Sequence, residues 1–281
     1  MKNYWFLFLA SLAVLSACLP AQPSSTSGQT VETLVSSTLQ AMTAMPQLEM
    51  SPTPVQSRGL PVSYENVSFT IPLELNSSAV PSRTTDVEFP YINPSGGPMA
   101  AHLVFQITNY PAAGSAKIMV FRSSEYAAYG PPTQDAVTAL LAGQDTLDPL
   151  PDALSHNFLV QRKTVSFQNG HGVRYLTQVM TNFAPVTNQD LFYYYQGITN
   201  DGAYYLAAIF HVTAPFLAAD GNPNSAVPPD GIPFTPNGAN PDFSKYLGDV
   251  TLKLNDTPPE NFTVPLTFLD KLIESIQIIN Q

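Results

Sequence analysis

The sequence predicts an α+β fold: an antiparallel meander of about six to eight strands with helices packed on it, an α/β/α sandwich being one arrangement that fits. Three observations carry this expectation. Segments of alternating apolar and polar residues, bounded by turn residues, recur from Leu60 to Thr213. Between them, one segment around Ala136–Leu141 switches to helical spacing. Two further helical patterns close the chain, after a Pro-, Gly- and Asn-rich stretch at 214–241 that reads as a long irregular loop.

Taken in order, Val62-Ser-Tyr64 and Val67-Ser-Phe69-Thr-Ile71 alternate with period two around Glu65-Asn66, which predicts a tight hairpin stopped by Pro72. Residues 73–100 contain Pro81, Pro90, Pro94, Gly96, Gly97 and Pro98 and read as an irregular connection. His102–Thr108 and Lys117–Arg122 read as strands joined by the loop Tyr110-Pro-Ala-Ala-Gly114. The mid-chain helix takes Thr133 as N-cap, Asp135 in its first turn, Ala136, Val137, Leu140 and Leu141 as its apolar face, and Gly143 as its stop. Four strands follow, Leu159–Phe167, Val173–Thr181, Leu191–Thr199 and Ala203–Thr213, with turns at Asn169-Gly170 and Asn200-Asp201-Gly202. Phe243, Tyr246, Leu247, Val250 and Leu254 share one helical face. Thr263 and Pro265 start the last helix, which carries Leu266, Leu269, Leu272, Ile273 and Ile276.

The N-terminus has a different character. Lys2 precedes an uncharged apolar run from Tyr4 to Leu15, and small Ser16 and Ala17 follow. That is the pattern of a secretory signal, too short to remain as a spanning helix. The stretch Leu15-Ser16-Ala17-Cys18 resembles the lipobox of bacterial lipoproteins. The resemblance implies cleavage before Cys18 and a diacylglyceryl thioether on its sulfur. It gives three parts: a signal peptide at 1–17, the lipidated Cys18 with a Pro-, Ser- and Thr-rich tether to 59, and a single α+β domain at 60–281. Within the tether Val31, Leu34, Val35, Leu39 and Met42 recur at helical spacing, a transient helix or a docking one. The expected location is a bacterial membrane, facing outside the cytoplasm. Leu19 stands where an aspartate often signals inner-membrane retention.

Composition narrows the function classes. The formal net charge is −10, and charged residues make up only 11% of the chain. Nucleic acid needs clustered Lys and Arg, so it is excluded as a partner, as is electrostatic docking on anionic lipid. Cys18 is the one cysteine; once lipidated it leaves no thiol for a disulfide, a zinc site or a nucleophile inside the fold.

The runs Gly172-Val-Arg174-Tyr-Leu-Thr-Gln178, Asn188-Gln-Asp-Leu-Phe-Tyr193 and Tyr195-Gln-Gly-Ile-Thr-Asn-Asp-Gly202-Ala-Tyr-Tyr205 resemble a group of uncharacterised bacterial lipoproteins, as does the closing Leu269-Asp-Lys-Leu-Ile-Glu-Ser-Ile276. The likeness implies the exported address and a single domain, and no activity. The order of elements, with an early hairpin and a late packed helix, also resembles the Mog1/PsbP-type sandwich; fold alone does not give function.

Chemistry-bearing patterns are sparse. Neither Gly-x-Ser-x-Gly nor Ser-x-x-Lys occurs, and His102, His156, His171 and His211 have no helical metal spacing among them. His171, in the Asn169-Gly-His-Gly172 turn, is the candidate catalytic residue of a hydrolase; His211, mid-strand, reads as a hydrogen-bonded core histidine. Asp220, Asn222 and Asn224 place oxygen ligands at alternate positions, as a calcium loop begins. Ser225 and Gly231 then depart from the pattern, and Pro223 stiffens it. Asp145, Asp148 and Asp152 read as a solvated loop. Tyr193, Tyr195, Tyr204 and Tyr205 either line a surface for a glycan or protein partner or pack under helices. No cofactor is expected. The leading expectation is a membrane-anchored, non-enzymatic binding or assembly module held by its Cys18 lipid, with an envelope protein or glycan as partner. The alternatives are an envelope-acting hydrolase and a small-molecule carrier with an apolar cavity.

Overall fold

The computed structural model describes residues 58–85, 87–88, 98–129, 131–143, 158–178, 184–222, 225–234 and 240–280. Cys18, the tether as far as residue 57, His156, Asn224 and the aspartates at 145, 148 and 152 lie outside the described residues, and Gly59 already belongs to the first strand. All described residues fall in one compact unit, Gln56–Gln281.

The period-two segments form strands, in order β1 (Gly59–Tyr64), β2 (Val67–Pro72), β3 (Ser78–Thr84), β4 (Val87–Glu88), β5 (Pro98–Met99), β6 (His102–Thr108) and β7 (Ala116–Arg122). Helices α1 (Ser123–Ala127) and α2 (Pro131–Leu141) follow. Then come β8 (Val160–Phe167), β9 (Gly170–Thr177), β10 (Phe192–Thr199) and β11 (Tyr204–His211). The chain closes with α3 (Asn240–Asp256), α4 (Leu266–Glu274) and β12 (Gln277–Ile278). The fold is α+β. Its main sheet is antiparallel throughout and has seven strands, in the order β3-β6-β7-β11-β10-β9-β8. A three-stranded sheet, β1-β2-β12, and the short pair β4-β5 complete the strands among the described residues.

The meander is folded in two. Strands β3, β6 and β7 run inward from one edge, β8 to β11 run inward from the other, and β7 meets β11 in the middle. The segment bearing α1 and α2 makes that crossing. Because side chains alternate, the central strands feed two cores. On the first face Phe105, Ile118, Leu206 and Phe210 share a core with β2 (Val67, Phe69, Ile71), with α3 (Val250, Leu254) and with α4 (Leu266, Leu269, Leu272, Ile273). On the second face Met119, Phe121, Val173, Tyr175 and Tyr194 pack with Tyr126 of α1 and with Val137 and Leu140 of α2. Helices therefore lie on both faces, and the central strands are near-continuously buried.

Four boundaries differ from the sequence expectation, each for a physical reason. The stretch 73–100 contains a seven-residue strand, β3. Its Pro81 lacks an N–H, which an edge strand tolerates, and β3 is the edge of the sheet. Helix α2 starts at Pro131, so Thr133 is inside the helix; proline suits the first turn, where its missing N–H has no intrahelical partner. Five-residue α1 and two-residue β12 are too short to show a period. The β8–β9 turn is Gln168-Asn169, since Gly170 already pairs with Phe167.

The described parts of 214–241 contain no helix or strand up to α3, yet they are tied down. Asn188 donates through Nδ2 to Ala214 O (3.1 Å) and Leu217 O (3.0 Å), and its Oδ1 accepts from Ala214 N (2.8 Å). The Lys253 ammonium lies 4.7 Å from the centre of the Phe216 ring.

Candidate functional site

The four candidate tyrosines sit on β10 and β11, and strand alternation divides them. Tyr193, Tyr195 and Tyr204 enter the first core, and Tyr205 enters the second. None is more than 6% exposed, so they form no surface for stacking a sugar or a partner. That corrects the surface alternative: with helices on both faces, these rings became core. Their hydroxyls are used internally. Tyr195 donates to Val165 O at 3.0 Å and Tyr205 to Gln196 Oε1 at 2.5 Å. The path of Tyr195 depends on two glycines paired in register, Gly172 and Gly197, which leave room beneath its ring.

Tyr193 belongs to a charged cluster that clamps α4 to the sheet. Its hydroxyl donates to Asp270 Oδ1 at 3.1 Å. Asp270 Oδ2 takes Lys163 Nζ at 2.9 Å, and Arg174 Nε lies 3.3 Å from Oδ1. The Asp270 and Arg174 side chains are almost fully buried, whereas Lys163 is half exposed. Arg174 also donates to Gln161 O. Burial above all, then the Asp270 charge, pushes the Tyr193 hydroxyl well above its ordinary range. With two hydrogen-bond donors and the Arg174 charge beside one carboxylate, Asp270 has the surroundings of a structural anchor. A second clamp lies beside it. Gln161, at the β8 bulge with φ of 55°, donates through Nε2 to Leu254 O and Thr257 O, both at 2.8 Å, and so holds the C-terminal end of α3.

His171 is the second residue of β9 on the second face, not a free turn residue. Its Nε2 lies 3.2 Å from Leu140 O, so with its proton there it donates to the last turn of α2. His211 on β11 turns Nε2 to Gln189 O at 3.0 Å and Nδ1 to Ser115 O at 3.4 Å. Asp220 closes its own loop: Oδ1 accepts from Asn222 N at 2.9 Å and from Ser225 Oγ. These bonds, the Ser225 one foremost, hold its carboxyl below the usual range. Among the described residues no group of three or more His, Cys, Asp or Glu is placed to hold a metal.

Local sequence pattern does not single out three polar side chains buried on the second face of the sheet, His102, Lys117 and Gln196. Strand register spreads them over different rungs: His102 lies opposite Phe121, Lys117 opposite Ile209, and Gln196 between Val173 and Ala207. His102, Lys117 and Gln196 are all buried. Burial pushes the Lys117 ammonium down to about 8. It also lowers the His102 imidazole, opposed by the hydrogen bond of Nδ1 to Ala100 O (2.8 Å) and reinforced by the Lys117 charge. His102 stacks on Phe121 with centroids 4.5 Å apart, and Tyr126 stacks on Tyr205 at 4.4 Å. Gln196 links strands by accepting from Tyr205 and donating to the Tyr175 hydroxyl at 3.0 Å. Ser123 keeps a buried Oγ without a hydrogen-bond partner among the described residues. One signal was legible: Lys117 is the lone charge in the run Ala116-Lys-Ile-Met-Val-Phe121, which a doubly covered strand must bury.

No protein-family model, curated protein or solved structure matches this chain. Among the described residues no helix is long and apolar enough to cross a membrane.

Proposed function

We propose that the chain is an exported lipoprotein, held on a bacterial membrane by acyl chains on Cys18, that presents its α+β domain outside the cytoplasm as a binding or assembly module. The observation that carries this reading is Leu15-Ser16-Ala17-Cys18 at the end of an uncharged apolar run. Each buried acyl methylene contributes ~0.8 kcal/mol, so two chains anchor the protein without help from the fold. The likeness to uncharacterised bacterial lipoproteins supports the same address. About 40 residues separate Cys18 from Arg58; at ~3.3–3.6 Å per residue they reach at most ~140 Å. A partner within the envelope, protein or glycan, falls inside that radius. The binding reading draws support from the described polar clusters, since Asp270, Arg174, Gln161 and His171 all brace helices against the sheet. The test is fractionation: the native chain pellets with membranes and is released by detergent, whereas Cys18→Ala leaves the pellet. A Cys18→Ala chain that stays in the pellet to the same extent would sink the lipid-anchor reading.

A second reading, a small-molecule carrier, draws on the second face of the sheet, where Lys117, His102 and Gln196 are polar groups buried among apolar ones. Native mass spectrometry of protein purified from its own cells tests it. A small molecule that leaves only on denaturation supports a carrier; a bare mass under native conditions counts against one.

A further inference from the structure

We draw no further inference here: the strongest candidate, the buried polar side chains Lys117, His102 and Gln196 on the second face of the seven-stranded sheet, already carries the carrier reading above, and among the described residues nothing shows a cavity beside them.

Discussion

Replacing Lys117 with methionine probes the cost of a charge inside the second core. Lys117 is 7% exposed, so solvent screens its ammonium little. In the unfolded chain a lysine keeps its proton up to an ordinary value of 10.5, whereas the buried amine releases it near 8. Between those two values the unfolded state holds the extra proton. Stability therefore rises with pH across that window and is lowest below pH 8. The gap from 10.5 to about 8, at ~1.36 kcal/mol per pKa unit, corresponds to about 3 kcal/mol. Methionine keeps most of the stem's volume and removes the charge. The expected result at pH 7 is a gain of about 2–3 kcal/mol, because the folded chain no longer desolvates an ammonium. Urea unfolding of both chains in a Cys18→Ser background, followed by circular dichroism from pH 7 to 10.5, reads the effect. The wild type gains stability relative to K117M as pH rises, and the two curves converge near the top of the window. A K117M chain less stable than wild type at pH 7, beside a wild-type curve parallel to it, would refute the reasoning. It would mean that the ammonium is fully compensated where it sits.

Three other substitutions follow from the same geometry. Asp270→Asn leaves the buried Arg174 guanidinium without its counter-charge and is expected to cost about 3–5 kcal/mol in urea unfolding; a change under 1 kcal/mol would show that the cluster does not clamp α4. In Gly172→Ala the new Cβ falls 2.0 Å from Gln196 O and 2.5 Å from the Tyr195 hydroxyl. A loss of about 2 kcal/mol or more is expected, visible as a lowered thermal midpoint. Gln161→Gly keeps the left-handed backbone but removes the bonds to the end of α3, so it should lose about 1–3 kcal/mol and speed hydrogen exchange in the last turn of that helix. Unchanged exchange there would remove Gln161 from its capping role.

Much of this fold was legible because local signals agreed with the global arrangement. The hairpin around Glu65-Asn66, the strands from His102 to Arg122, the four strands β8 to β11 and both closing helices all appear within a few residues of their expected places. What stayed hidden depends on position in the sheet. Pro81 reads locally as a breaker, and only the edge placement of β3 makes it a strand residue. The docking of β7 against β11 is a long-range pairing that no window of sequence contains. The candidate site was less legible. Tyr193 and Tyr205 look alike in sequence, yet one meets Asp270 on the first face and the other Gln196 on the second. His171 reads as an exposed turn residue because the Asn169-Gly170 signal lies one residue past the actual turn, Gln168-Asn169. Lys117, His102 and Gln196 come to one face of the sheet only because β6, β7, β11 and β10 lie side by side.

The central claim concerns Cys18, and intact mass tests it most directly. Protein extracted from its native membrane should lack Met1–Ala17 and carry a diacylglyceryl mass that maps to the peptide beginning at Cys18. The Cys18→Ala chain should lack that added mass and leave the membrane. A native chain cleaved elsewhere, or cleaved before Cys18 with an unmodified thiol, would contradict the lipoprotein reading and make a diffusible secreted protein the better description.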